Sequence, residues 1–405
     1  MLSNDEAELY DRQIRLWGAH AQAKIRDSSV LMLGFNGVAS EVAKTLVLAG
    51  IKSLTIVDDQ PIQEADDTSN LFCRRAVETK DEPKYRTYAV KEKLKRLNPL
   101  VEVIIINKPI ISEEIILDET TTYNLLTLHS FLSISEINQI NTWCRKRSMM
   151  FYFAIDFGFY GFIFNDLGAE FAFEYEKFNE KPIDESKKDS KAETKGDLIS
   201  IDDDEQGEEN TTDDDNRPKK RLRVHSPDRP KDDKKADAQE KVSISAKLPY
   251  VTFNDMISAK NLALDSKSSP VLLVSIAMIK FFDQCKRLPR RDDDSIDQKD
   301  LETLKELFSA TCEAYKAPEK LLKRLSHDWT DHVTSSMSPV CAVIGGLAGQ
   351  DIIRVLSGKD IPIYNTFAFD GLSINGSVTK VGFPEEIKVD IQKPVIRDLV
   401  EIDED

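Results

Sequence analysis

Cysteine is scarce in this chain of 405 residues: there are five, at positions 73, 144, 285, 312 and 341, and no C-x-x-C pair. Spacings this wide exclude a disulfide framework and a zinc ribbon. Histidine is as sparse, and His20, His129, His225, His327 and His332 offer no metal-ligand spacing beyond the loose pair at 327 and 332, read as ordinary surface residues. No metal site is expected. Long apolar runs are also missing. The longest, Pro270 to Ile279, is too short to span a bilayer, and the acidic opening MLSNDEAELYDR is unlike a secretory signal. The expectation is a soluble intracellular protein with no membrane partner. Basic residues are in deficit, 55 Lys/Arg against 71 Asp/Glu, for a formal charge of −16. A surface that negative is repelled by nucleic acid, so no nucleic-acid partner is expected.

Aromatic residues are absent from one stretch altogether. Residues 181–240 contain no Phe, Trp or Tyr, yet 14 Lys/Arg and 19 Asp/Glu. Such a segment has too little apolar surface to offset the entropy of ordering it, so residues 181–242 read as a disordered charged insertion, flanked by FAFEYEKF and LPYVTF. Before it, strands and helices alternate. SSVLMLG, KSLTIVDD, VEVIIIN, TTYNLLTLH and MMFYFAIDFG read as strands, while VASEVAKTLVLAG, Pro83 to Leu97 and SEINQINTWCRKR have helical spacing. That order predicts an α/β fold with a mostly parallel sheet covered on both faces. After the insertion, VLLVSIAMIKFFDQC, LETLKELFSATCEAY and SPVCAVIGGLAGQDIIRVLSG read as helices and IYNTFAFDG as a late strand.

A strand, a glycine turn, a helix and a second strand ending in an acid form the order of a nucleotide-binding fold. Glycines let backbone N–H groups and the helix N-terminus approach phosphate, and the acid takes ribose hydroxyls. Here the turn runs Gly34-Phe35-Asn36-Gly37-Val38-Ala39, so Asn36 and Ala39 stand where G-x-G-x-x-G has its second and third glycines, while Asp58 is in place. Taken alone, this favours a structural turn that binds nothing. At the N-terminus, YDRQIRLWG (Tyr10 to Gly18) reads as an arm docked through Ile14, Leu16 and Trp17 with Arg12 and Arg15 in water, followed by a short helix, His20 to Arg26.

Together YDRQIRLWG, GFNGVASEVAKTLVLAGI, LTIVDD and the late segments SPVCAVIGGLAGQDIIRVLSG and FAFDGLSINGSV resemble the smaller subunits of heterodimeric SUMO-activating enzymes. The corresponding regulatory subunit of NEDD8-activating enzymes carries a similar arm and is the alternative within the superfamily; a Rossmann-type oxidoreductase is the alternative outside it. The resemblance implies a Rossmann-like adenylation-type domain: residues 1–180 its first part with the arm, 243–384 a helical segment and its second part, and 385–405 an acidic tail. It also implies two related domains of which one binds ATP. Working sites in the superfamily carry G-x-G-G-x-G, an acid, an N-x-x-R-Q run and a lysine. This chain keeps Asp58 and a candidate in Lys84, but DDTSNLFCRRA puts Asn70 four residues before Arg74 and leaves neither in register. ATP and Mg are therefore expected in the larger catalytic subunit and none in this chain.

The arginine of the family's Y-[DS]-R arm reaches the γ-phosphate of the partner's ATP, and that position is Arg12 here, with Arg15 a weaker candidate. The resemblance further implies SUMO and, through the complex, the SUMO-conjugating enzyme as partners. No cysteine of this chain is a candidate nucleophile. RPKKRLR (Arg217 to Arg223) reads as a nuclear import signal, with Ser226 beside it a modification candidate, so the nucleus is the expected compartment. Two segments, Leu198 to Ile201 before DDDE and Leu399 to Ile402 before DED, resemble motifs that add a strand to SUMO.

Overall fold

The computed structural model describes residues 4–73, 85–112, 115, 121–178, 241–260, 264, 268–292, 295–383 and 390–391. Lys84, Arg74, the basic cluster 217–223 and both SUMO-motif-like segments lie outside them. By contacts the chain divides into Met1–Glu176 with Ser243–Asp405, and Lys177–Val242.

Three N-terminal helices, α1 (Asn4–Leu9), α2 (Asp11–Trp17) and α3 (Ala19–Arg26), lead into β1 (Ser29–Leu33), α4 (Gly37–Ala49) and β2 (Ser53–Val57). Then come α5 (Glu64–Ser69), α6 (Arg86–Leu97), β3 (Glu102–Ile106), β4 (Leu125–Leu128), α7 (Ile134–Lys146), β5 (Met150–Phe157), β6 (Tyr160–Asp166) and β7 (Phe171–Phe178). The chain continues with β8 (Lys241–Leu248), α8 (Phe253–Ile257), α9 (Val271–Cys285), β9 (Arg291–Asp292), β10 (Ser295–Ile296), α10 (Gln298–Ala314) and α11 (Glu319–Leu322). It closes with a 3-10 turn (Trp329–His332), α12 (Ser338–Ser357), β11 (Thr366–Asp370), β12 (Asn375–Thr379) and β13 (Asp390–Ile391). Strand β8 thus begins two residues inside the stretch 181–242.

The main sheet has the order β12-β11-β6-β5-β4-β1-β2-β3. Its β3-β2-β1-β4-β5 half is parallel, as the strand and helix alternation predicts. Strands β6, β11 and β12 are antiparallel, and β6 and β12 are elements the sequence reading does not contain. The reason is local: Gly158 and Phe159 turn β5 straight back into β6, whereas a parallel return needs a crossover of a dozen or more residues. Gly158 has φ +62, and a Cβ there would lie 1.8 Å from the His332 carbonyl oxygen, so the turn is reserved for glycine.

Side chains alternate across the central strands into two cores. Val30, Met32, Leu54 and Ile56 face α4, α6 and α12; Leu31, Leu33, Val57, Leu126 and Leu128 face α7, α9 and α10. Both faces of β1 and β2 are therefore buried, which is why they read as continuous apolar runs. One described helix, α12, is long and apolar enough to cross a membrane by length and composition, and 67% of its apolar window is buried within the protein. It carries a buried acid, Asp351, which accepts hydrogen bonds from Tyr152 Oη at 2.6 Å and the Ile363 amide at 3.0 Å and pairs with Arg354 at 2.7 Å.

Helices α4 and α12 meet through small residues. A Cβ on Gly345 would lie 2.5 Å from Glu41 Cβ and 2.7 Å from the Val38 carbonyl, and one on Gly349 2.8 Å from Thr45 Cβ, while Gly346 has nothing within 4 Å. Gly345→Val is expected to cost about 1–3 kcal/mol by overpacking, whereas Gly346→Ala should be neutral or stabilising by up to about 1 kcal/mol through helix propensity. Urea denaturation of the two variants checks this; equal effects would contradict the packing.

Candidate functional site

A cleft of ≈ 650 Å³ opens at the carboxyl ends of β1, β2, β4 and β5. Strand order reverses between β1 and β4, and in open α/β sheets ligands bind in the crevice at such a point. The glycine turn, Asp58, the helix α5, Arg86 and the loop around Ile110 line one side; His129, Phe131, Asp156 and Ser336 line the other.

The turn spends two of its own donors, the Phe35 and Ala39 amides. Asn36 caps α4, its side chain accepting the Ala39 amide at 3.0 Å, and so takes one of the N–H groups that a helix start would give to phosphate. Asp58 is buried, and its carboxylate accepts the Phe35 amide and the Gln60 amide, each at 2.6 Å. The acid expected at ribose hydroxyls is thus occupied in tying β2 to the turn. Burial holds its carboxyl above the ordinary carboxylate range, with those amides and Arg86 opposing the rise. The two remaining glycines have structural reasons. Gly34 has φ +82, and a Cβ on Gly37 would lie 2.6 Å from Cys341 Sγ and 2.7 Å from the Ser69 carbonyl.

Asn70 is buried under the turn. Its amide donates to the Phe35 carbonyl at 3.0 Å and its oxygen accepts the Phe72 and Cys73 amides. The Asn out of register with an N-x-x-R-Q run is therefore a turn-holding residue. Arg86, which the sequence reading passes over, is the one Lys or Arg among the described lining residues. It lies between two acids, with Nε 2.8 Å from Asp66 and Nη1 3.9 Å from Asp58. His129 adds no charge: Nδ1 donates to the Ala154 carbonyl at 3.0 Å, Nε2 accepts from Thr127 Oγ1 at 2.8 Å, and burial lowers its pKa to about 4. Against Arg86 stand Asp58, Asp59, Asp66, Glu136 and Asp156. Among the described residues the lining fits a triphosphate badly, because it offers that anion acids and a guanidinium already paired.

The arm is arranged differently from the expectation. It is helical (α2); Trp17 packs against the core and Arg12 and Arg15 are exposed, as expected, but Leu16 is 79% exposed rather than docked. Polar contacts anchor it as well, because it sits on the C-terminal end of α4, whose last four carbonyls have no partner within the helix. Gln13 Nε2 donates to Leu48 O at 3.2 Å, Gln22 Nε2 to Ala49 O at 2.9 Å and Asn98 Nδ2 to Val47 O at 2.9 Å, while the Gly50 amide reaches Leu46 O. Trp17 Nε1 donates to Gln22 at 2.9 Å, and buried Tyr10 accepts from Asn98 at 2.8 Å with its ring against Gly50. The adjacent Tyr and Trp were the available sequence signal for this anchor. Arg15 pairs with Asp11 at 3.0 Å. Arg12 is exposed on the same helix and bonds to no described residue.

Cys73, Cys144 and Cys341 are buried, and Cys285 and Cys312 are half-buried. Burial pushes the Cys73 thiol up to about 12 and Cys312 to about 11, and it raises Cys144 and Cys341 as well. His332 lies 3.4 Å from Asp328, and no group of three potential metal ligands occurs among the described residues.

The ThiF family matches residues 10–386. A SUMO-activating enzyme subunit 1 from Xenopus tropicalis is 30% identical over 390 residues, covering 94% of this chain and 97% of that protein. The Homo sapiens protein of that name is 30% identical over 387 residues, covering 94% and 96%, and the Dictyostelium discoideum one 27% over 380 residues, covering 93% and 94%.

Asp156 tests the electrostatics of the cleft. Its carboxylate accepts Ser336 Oγ at 2.5 Å, and burial raises its pKa. A raised carboxyl binds more protons folded than unfolded, so its contribution to stability falls as pH rises through the window just above the ordinary carboxylate value. Asp156→Asn has no such titration. The variant should gain stability relative to the parent between pH 4 and pH 7 in thermal melts; a relative loss over that range would contradict the assignment.

Proposed function

Because this chain belongs to the ThiF family, and to the SUMO-activating enzyme subunit 1 proteins within it, we propose that it is the half of a two-chain SUMO-activating enzyme that supports adenylation without holding the nucleotide. In this reading ATP and Mg sit in the larger subunit and none in this chain. A carboxylate oxygen of SUMO's C-terminus bonds to the α-phosphorus, the bond to the β-phosphate bridging oxygen breaks, and pyrophosphate leaves. The acyl group then passes to a cysteine of the larger subunit with release of AMP, and onward to a SUMO-conjugating enzyme held by the complex.

The observation that carries the reading is Arg12: an exposed guanidinium with no ion pair to any described residue, on a helix fixed by the carbonyls of α4. Negative charge moving onto the departing pyrophosphate is stabilised by cations placed in advance, and a guanidinium stays charged and grips phosphate oxygens in pairs. Arg12 would be supplied in trans to the partner's phosphates; Arg15 is less available because Asp11 already engages it. The acid-lined cleft supports leaving the triphosphate to the partner. The raised thiols support placing the thioester there too, since thiolate is the nucleophile, and four of the five cysteines are pushed away from it.

In the reconstituted two-chain enzyme, Arg12→Ala should lower ATP–pyrophosphate exchange by at least about tenfold, as loss of one preorganised charge does. The melting temperature of the isolated chain should stay within error, because Arg12 bonds to no described residue. An unchanged exchange rate would sink the assignment.

A further inference from the structure

The sheet ends at β3 on one side. Glu102 N donates to Lys52 O and Ile106 O accepts the Asp58 amide, so residues 102, 104 and 106 turn their backbone groups to β2. By the alternation of a parallel ladder, Val103 and Ile105 turn theirs outward, and no described strand pairs with them. A groove of ≈ 450 Å³ runs beside this edge, lined by Leu100 and the β3 residues 102–105, with Lys91 and Lys95, one turn apart on α6, outnumbering the single acid, Glu102. Leu100 is 56% exposed, and neither lysine bonds to a described residue. Helix α6 carries Lys91, Lys93, Lys95 and Arg96 against Glu92, a locally basic segment on a chain of charge −16, with Lys91 and Lys95 on one side of it.

We propose that this edge is a docking site for an extended acidic segment of a partner protein, which adds as a strand to β3. Main-chain hydrogen bonds to Val103 and Ile105 supply register. Aliphatic residues of the segment pack on Leu100 and Ile104, and a flanking run of Asp or Glu meets Lys91 and Lys95. Backbone pairing of this kind is sequence-tolerant, so the occupant is selected by its alternating side chains and its charge. The opposite edge, β12, shows exposed Ile374 and Val378 but no comparable pair of free lysines along it, and charge complementarity therefore picks β3.

The probe is a synthetic peptide of the sequence at 194–208, TKGDLISIDDDEQGE, chosen for its chemistry: four aliphatic or small residues followed by four acids. It is titrated into the full chain labelled at isoleucine methyls. The expected result is saturable shifts at Ile104 and Ile106, weakened by added salt, and weakened about tenfold or more by the double variant Lys91→Glu, Lys95→Glu. Val103→Pro removes one outward N–H while sparing the ladder to β2, and should abolish the shifts. If that variant fails to fold, the charge reversal decides. Absence of shifts at millimolar peptide, shifts only elsewhere, or an affinity that charge reversal leaves unchanged would overturn the proposal.

Discussion

The two ends of α4 organise this molecule. A helix leaves four N–H groups and four carbonyls without internal partners, and in a nucleotide-binding fold the N–H end faces the ligand. Here Asn36 caps that end and Asp58 takes the amide of the turn before it. At the other end the last four carbonyls are met by Gln13, Gln22, Asn98 and the Gly50 amide. The first set occupies two amides of the turn, those of Phe35 and Ala39; the second holds a charged helix on the outside. Between the ends, Gly345 and Gly349 let α12 approach closely enough to fix α4 against the sheet.

The proposed division of labour follows from that arrangement. The fold keeps its crevice at the switch between β1 and β4, but five acids and a paired arginine line it. Arg12, which has no partner among the described residues, lies on α2, outside the crevice. A chain with this distribution suits the task of stabilising charge in a neighbour's site better than in its own. The lack of thiolate-favouring settings around four cysteines points the same way, toward chemistry completed on the partner.

Much of the parallel half was legible in the sequence, because buried parallel strands are continuous apolar runs and α4 ends in glycine. The antiparallel half was less so. Strand β6 (YGFIFND) follows β5 after two residues, and without the Gly158 turn the pair reads as one long apolar stretch. In the site, the loss of glycines at Asn36 and Ala39 was visible, but what replaced them was not. That Asp58 faces an amide, and that Asn70 holds Phe35, depend on contacts across 23 and 35 residues. The arm was misjudged in one respect. Apolar Leu16 suggested docking, yet the surface beneath is a row of carbonyls, and donors such as Gln13 and Gln22 satisfy it where a leucine does not.

The central claim is that the nucleotide belongs to the partner while this crevice holds none. Isothermal titration of ATP with Mg, into the isolated chain and into the reconstituted two-chain enzyme, tests it most directly. The account predicts no measurable heat of binding to the isolated chain and one nucleotide per two-chain enzyme. Appreciable binding to the isolated chain, or two nucleotides per enzyme, would contradict it.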